Sequence, residues 1–159
     1  MMQHARIHPR TLGYLGRALS LEYSAVQQYM TQAALCEAWG LADAADRFRR
    51  ETVEEMRHAE RIVKRMLGLG VAPNASQLRA AAVGRGLIDL LRQDTVLENE
   101  IVSLYDEATR FCERVRDGEN AAFFRQLLEE ETEHAEEIRE WLSSLGVPRS
   151  RAAEERVYF

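Results

Sequence analysis

Six side chains in this sequence, Glu22, Glu55, His58, Glu98, Glu131 and His134, have the types and the spacing to hold a pair of metal ions. Glu55-Met56-Arg57-His58 and Glu131-Thr132-Glu133-His134 are two copies of Glu-x-x-His. On a helix, residues i and i+3 share one face about a turn apart. The glutamate of such a pair can bridge two metals through its two oxygens, and the histidine can cap one of them through a ring nitrogen. Glu55 follows Glu22 by 33 positions, and Glu131 follows Glu98 by the same interval. A tyrosine stands seven residues after each outer glutamate, Tyr29 after Glu22 and Tyr105 after Glu98. The chain therefore reads as two related halves, with a pseudo-two-fold axis through the site.

Charge favours the same reading. Each of the four glutamates interrupts an apolar helical stripe at its middle. Burying one unpaired carboxylate costs several kcal/mol. Four facing one another in a dry core require neutralisation. Four carboxylates, two neutral imidazoles and two divalent ions sum to zero. The alternative, four solvated glutamates, requires all of them to fall by accident at the centre of an apolar stripe. Carboxylate with imidazole suits iron or manganese, and zinc can substitute. No thiolate joins the set, and an open position with redox use points to iron.

Four long helices must carry these residues. Apolar residues at alternating steps of three and four predict helices over about 9–39, 43–69, 84–116 and 119–145, with a short tail helix over about 149–157. The expected inward stripes are Leu12, Leu15, Leu19, Glu22, Val26, Tyr29, Ala33 and Cys36; then Phe48, Thr52, Glu55, Ala59, Ile62, Met66 and Leu69. In the second half they are Leu87, Leu91, Asp94, Glu98, Ile101, Tyr105, Ala108 and Cys112; then Phe124, Leu128, Glu131, Ala135, Ile138, Leu142 and Leu145. Gly40, Gly68, Gly70 and Gly146 mark stops, and Asp117-Gly118 marks a turn. Short, long and short connections imply an all-α, antiparallel four-helix bundle with one long crossover, in a single domain over residues 1–159.

Composition agrees. The chain has 159 residues, 46% of them hydrophobic and 30% charged, with a net charge of −5. It is long enough for a sizeable core. No basic stripe favours nucleic acid, and no apolar run of membrane-spanning length occurs, so a cytoplasmic protein is expected. Cys36 and Cys112 read as free, small core residues. His4 and His8 have no partner spacing and read as solvated. Tyr29 and Tyr105 are placed to orient site carboxylates. Asp94, one turn before Glu98, is placed to hold a ligand histidine by its free ring N–H.

The sequence resembles the bacterioferritins of the ferritin-like superfamily over nearly its whole length. The resemblance lies in the ligand register, in Leu21-Glu22-Tyr23-Ser24-Ala25-Val26-Gln27-Gln28-Tyr29, in Cys36-Glu37-Ala38-Trp39-Gly40-Leu41 and in Glu55-Met56-Arg57-His58-Ala59. It implies a ferroxidase that oxidises Fe2+ at a di-iron centre with dioxygen or peroxide, in a homo-oligomeric shell of 24 subunits built from dimers. It also implies haem b shared between two subunits, with Met56 the matching axial ligand, and a ferredoxin as electron donor. Position 56 is rotated about 100° from Glu55, away from the metals. Two positions depart from the family pattern. Tyr105 is more typical of rubrerythrin-like sites, and Arg50 stands where some bacterioferritins place an inner-surface histidine. The competing readings are a stand-alone, dimeric, rubrerythrin-like di-iron oxidase or peroxidase, and a helical scaffold without activity.

Overall fold

Four helices follow one another in the computed structural model, which describes residues 7–75 and 77–149. They are α1 (Pro9–Ala38), α2 (Ala42–Gly68), α3 (Leu87–Arg114) and α4 (Gly118–Ser144), with no strand among the described residues. Helix α1 packs along α2 and α3 along α4, and the two hairpins meet chiefly along α1 and α3. The fold is all-α, an antiparallel four-helix bundle with one long crossover. The tail helix expected over 149–157 lies, apart from Arg149, outside the described residues.

The helix ends follow from local chemistry. Pro9 opens α1, where its missing N–H would be unpaired in any case. His8 is exposed, as expected, and its Nδ1 caps α1 by accepting the Arg10 backbone N–H at 3.1 Å while its ring meets Phe111 edge-on. Gly40 and Gly146 turn the chain left-handed after α1 and α4, at φ 75° and 84°. Helix α3 begins at Leu87, the first residue of its apolar stripe and three residues later than the expected start at about 84, because Gly84 and Gly86 are poor helix formers and Gly86 is extended. Between α3 and α4, Arg116 takes the left-handed position. Asp117 caps α4 by accepting the Asn120 N–H at 3.1 Å, so Gly118 is already helical.

The core holds Leu15, Leu19, Phe48, Ile62, Leu90, Leu91, Ile101, Phe124 and Leu127, all essentially without solvent contact. The expected stripes need correction at their edges. Leu12, Val26, Thr52, Leu69, Leu87 and Leu128 are half-buried and Leu145 is exposed, whereas Ala25 and Leu127 are fully buried. A straight helix has 3.6 residues per turn, so a stripe with strict steps of three and four drifts off the core face. The crossover lies against the bundle, with the Arg79 N–H donating to Ser24 Oγ at 3.1 Å and the Arg79 guanidinium paired with Glu100. Among the described residues no helix is long and apolar enough to cross a membrane.

Two glycines make the packing testable. A Cβ at Gly84 would lie 2.8 Å from Asp89 Cβ, while one at Gly13, inside α1, would meet nothing within 4 Å. Gly84→Ala is expected to destabilise the protein by displacing the start of α3. Gly13→Ala is expected to stabilise it by about 0.5–1 kcal/mol through higher helix propensity. Chemical denaturation of both variants checks the pair, and equal midpoints would contradict this packing.

Candidate metal centre

Each helix contributes to one buried cluster. Glu22 comes from α1, Glu55 and His58 from α2, Glu98 from α3, Glu131 and His134 from α4. All four glutamates have 0% exposure, and the histidines 5% and 8%. Two overlapping sets of donors form. Glu22, Glu55, His58 and Glu131 make one, and Glu55, Glu98, Glu131 and His134 the other, each with ligating atoms within 4.8 Å of one another. Glu55 and Glu131 belong to both.

The histidines turn Nδ1 inward. His58 Nδ1 lies 2.6 Å from Glu131 Oε1 and 3.2 Å from Glu55 Oε2. His134 Nδ1 lies 3.0 Å from Glu55 Oε1 and 3.5 Å from Glu98 Oε1 and from Glu131 Oε2. Oε2 of Glu22, of Glu98 and of Glu131 has no hydrogen-bond partner although buried. An unpartnered carboxylate oxygen in a dry core needs a proton or a cation, and the donor set fits a pair of hard or borderline divalent ions.

The tyrosines cross between the hairpins. Tyr29 on α1 donates to Glu98 Oε1, and Tyr105 on α3 donates to Glu22 Oε1. Neither reaches the glutamate of its own helix. Seven residues on the same helix place a side chain two turns away, whereas the facing helix brings the partner carboxylate alongside.

Asp94 does not hold a histidine. Its Oδ1 accepts from Gln28 Nε2 at 2.6 Å and Gln32 Nε2 at 2.7 Å, because Asp94 on α3 faces α1 while the histidines stand on α2 and α4. Two other carboxylates take the outer ring nitrogens. Glu130 lies 3.0 Å from His58 Nε2, and Glu51 pairs with His134 Nε2. Sequence reasoning missed both. Glu51 stands one turn before Glu55 on the same face and could have been found. Glu130 is about 100° around α4 from Glu131 and carries no periodic signal.

Burial, then the charges of Glu131 and Glu55, push the Glu22 carboxyl well above its ordinary range. Burial, then Glu55 and Glu131, do the same to Glu98. Burial works against charge on the two imidazoles, but hydrogen bonds to the surrounding carboxylates outweigh it and hold both well above the usual histidine range. Burial also opposes ionisation of Glu55, yet hydrogen bonds from His134 and His58 keep it below the usual carboxylate range. Protons thus neutralise the metal-free cluster. A metal requires a free Nδ1 lone pair and ionised carboxylates, so loading must expel protons. Adding divalent metal to metal-free protein in weak buffer is expected to acidify the solution, and affinity is expected to rise with pH. Metal uptake without proton release would contradict this charge assignment.

Asp94 gives a second pH effect. Burial, only partly offset by the hydrogen bonds from Gln28 and Gln32, pushes its carboxyl from 3.8 to about 7. The folded state therefore binds more protons than the unfolded chain between those values, and stability falls as pH rises through that window. Asp94→Asn is expected to flatten this slope in metal-free protein, as read by denaturant midpoints across pH. An unchanged slope would refute it.

The Ferritin-like domain family model matches residues 12–146. The chain is 34% identical to bacterioferritin of Rhodobacter capsulatus over 134 residues, covering 84% of this chain and 83% of that protein. It is 30% identical to bacterioferritin of Mycobacterium leprae over 138 residues, covering 87% of each. A solved structure of the Rhodobacter capsulatus bacterioferritin, with a metal-free dinuclear site and haem iron in a crystallographic special position, superposes with a TM-score of 0.82 at 33% identity, over 86% of this chain and 85% of that one. The chain belongs to the ferritin-like domain family, within its bacterioferritins.

Proposed function

We propose that this protein is a bacterioferritin-type ferroxidase. It takes two Fe2+ ions per subunit as substrate, oxidises them to Fe3+ with dioxygen or peroxide, and serves iron storage and detoxification. The observation that carries this reading is the pair of overlapping four-donor sets that share Glu55 and Glu131. Glu22 with His58, and Glu98 with His134, each complete one metal position, and Glu55 and Glu131 bridge them. The four carboxylates balance the charge of two divalent ions. Manganese or zinc can occupy the same donors. Two ferrous ions supply two electrons, the number that takes dioxygen to hydrogen peroxide or peroxide to water.

The chain's own groups prepare that exchange. Tyr29 and Tyr105 fix the rotamers of Glu98 and Glu22 by hydrogen bonds. Glu130 is hydrogen-bonded to the outer ring nitrogen of His58, and Glu51 is ion-paired with that of His134, which leaves each Nδ1 facing the cluster. The apolar core around the cluster excludes bulk water.

Haem b shared between two subunits is part of the proposal. Met56 is 54% exposed on α2, and Tyr23, Met30 and Val53 are exposed with it on α1 and α2. An exposed thioether on a hairpin that carries other exposed apolar side chains fits an axial ligand at a two-fold contact. When bound, the haem would supply a one-electron redox group, and a ferredoxin is the proposed donor. The proposed assembly is a shell of 24 subunits built from dimers, in the cytoplasm.

Anaerobic protein given Fe2+ and then air is expected to show a fast oxidation phase of about two Fe2+ per chain, the number of overlapping donor sets. Glu22→Ala and His134→Ala are expected to abolish it, and an unchanged fast phase in both would refute the site. Met56→Leu is expected to remove a haem absorption band without touching that phase. A solution mass near a dimer would favour the stand-alone oxidase or peroxidase over the storage shell.

A further inference from the structure

The two halves of the centre are not equivalent in what surrounds them. Aligning Glu22 with Glu98 and Glu55 with Glu131 pairs every site position with a counterpart. Asp94 corresponds to Ala18, Gln28 to Leu104 and Gln32 to Ala108, and all three counterparts are buried and apolar. Glu51 corresponds to Leu127, which is fully buried. Glu130 corresponds to Glu54, which is exposed and pairs with Arg57 at 2.6 Å rather than with a histidine. The repeat preserves the six central residues and the two tyrosines that hold Glu98 and Glu22, but not the groups around the histidines and Asp94.

The difference has a sign. On the His134 side, Glu51 takes the outer ring nitrogen, and among the described residues no lysine or arginine pairs with Glu51. The Asp94 carboxyl on α3 is held by two neutral amides, Gln28 and Gln32 of α1. On the His58 side, the outer carboxylate Glu130 is shared with the Arg61 guanidinium at 2.7 Å. Arg61 draws off part of the negative charge that Glu130 would offer the imidazole. A carboxylate on the outer N–H makes a histidine a better donor, and an adjacent cation weakens that effect.

We infer that the centre fills in order, with the position at Glu98 and His134 binding a divalent cation first and more tightly than the position at Glu22 and His58. Glu51 is the positioning residue that strengthens the first position, and Arg61, through Glu130, is the residue that weakens the second. This rests on the reading of the six residues as a two-metal centre. It adds that the pair assembles through a singly loaded state with a defined occupant.

Anaerobic titration of the assembled metal-free protein with Co2+, followed by visible absorption and by chelator competition, tests the order. Two steps are expected, separated by at least about tenfold in affinity, the usual scale for loss of an outer-sphere partner. Crystals given one Co2+ per chain are expected to show anomalous density at His134. Glu51→Gln is expected to weaken the first step by about 10- to 100-fold and merge the two. Arg61→Gln is expected to tighten the second step and leave the first in place. Two equivalents of equal affinity, or first density at His58, would overturn the inference while leaving the two-metal centre standing. Binding of fewer than two Co2+ per chain would refute the centre itself. Should Glu51→Gln fail to fold, Arg61→Gln and the wild-type density still decide the order.

Discussion

Four carboxylates with no solvent contact stand together in the middle of this bundle, and their mutual repulsion is the constraint that the remaining structure answers. Each ion taken from water into a protein interior costs several kcal/mol before repulsion is counted. The metal-free protein answers with protons, on the two imidazoles and on Glu22 and Glu98. The same cluster of donors suits two divalent cations, whose charge would replace those protons. Tyr29 and Tyr105 reach across between the hairpins to the outer glutamates, so orienting the site and joining α1 to α3 are one interaction.

That constraint also explains the distribution of support. Both outer histidine contacts run between α2 and α4, Glu51 to His134 and Glu130 to His58. The Asp94–Gln28–Gln32 network runs between α3 and α1. The centre is therefore clamped by two different kinds of contact on opposite sides of the bundle. Tyr23 and Met30 on α1, and Val53 and Met56 on α2, are exposed apolar side chains of the same hairpin. One helical hairpin thus lines the cluster with buried residues and also carries exposed apolar ones. A single residue step on α2, from Glu55 to Met56, separates the two roles.

Much of this was legible beforehand because helical periodicity is a local property. Glu55 and His58, or Glu131 and His134, share a face whatever the helix packs against, and the 33-residue interval aligns the two hairpins. What depends on neighbours was misread. Asp94 shares a stripe with Glu98, but the stripe says nothing about which helix it faces, and α1 supplies the two glutamines that it accepts from. Leu127 rather than Leu128 fills the core because the core face follows the helix's own 3.6-residue turn. Glu130 looks like any surface glutamate until Arg61 and His58 meet it from another helix.

By itself the sequence determined the four helices, the short, long and short connections, and the interruption of each apolar stripe by one glutamate. These follow from side-chain spacing along a single helix and from the cost of burying unpaired charge. Only the tertiary structure decided which tyrosine serves which carboxylate, which carboxylates hold the outer ring nitrogens, and that the two halves differ in charge around a common centre. Those are distances between helices, set by how the hairpins dock, and no periodicity within one helix encodes them.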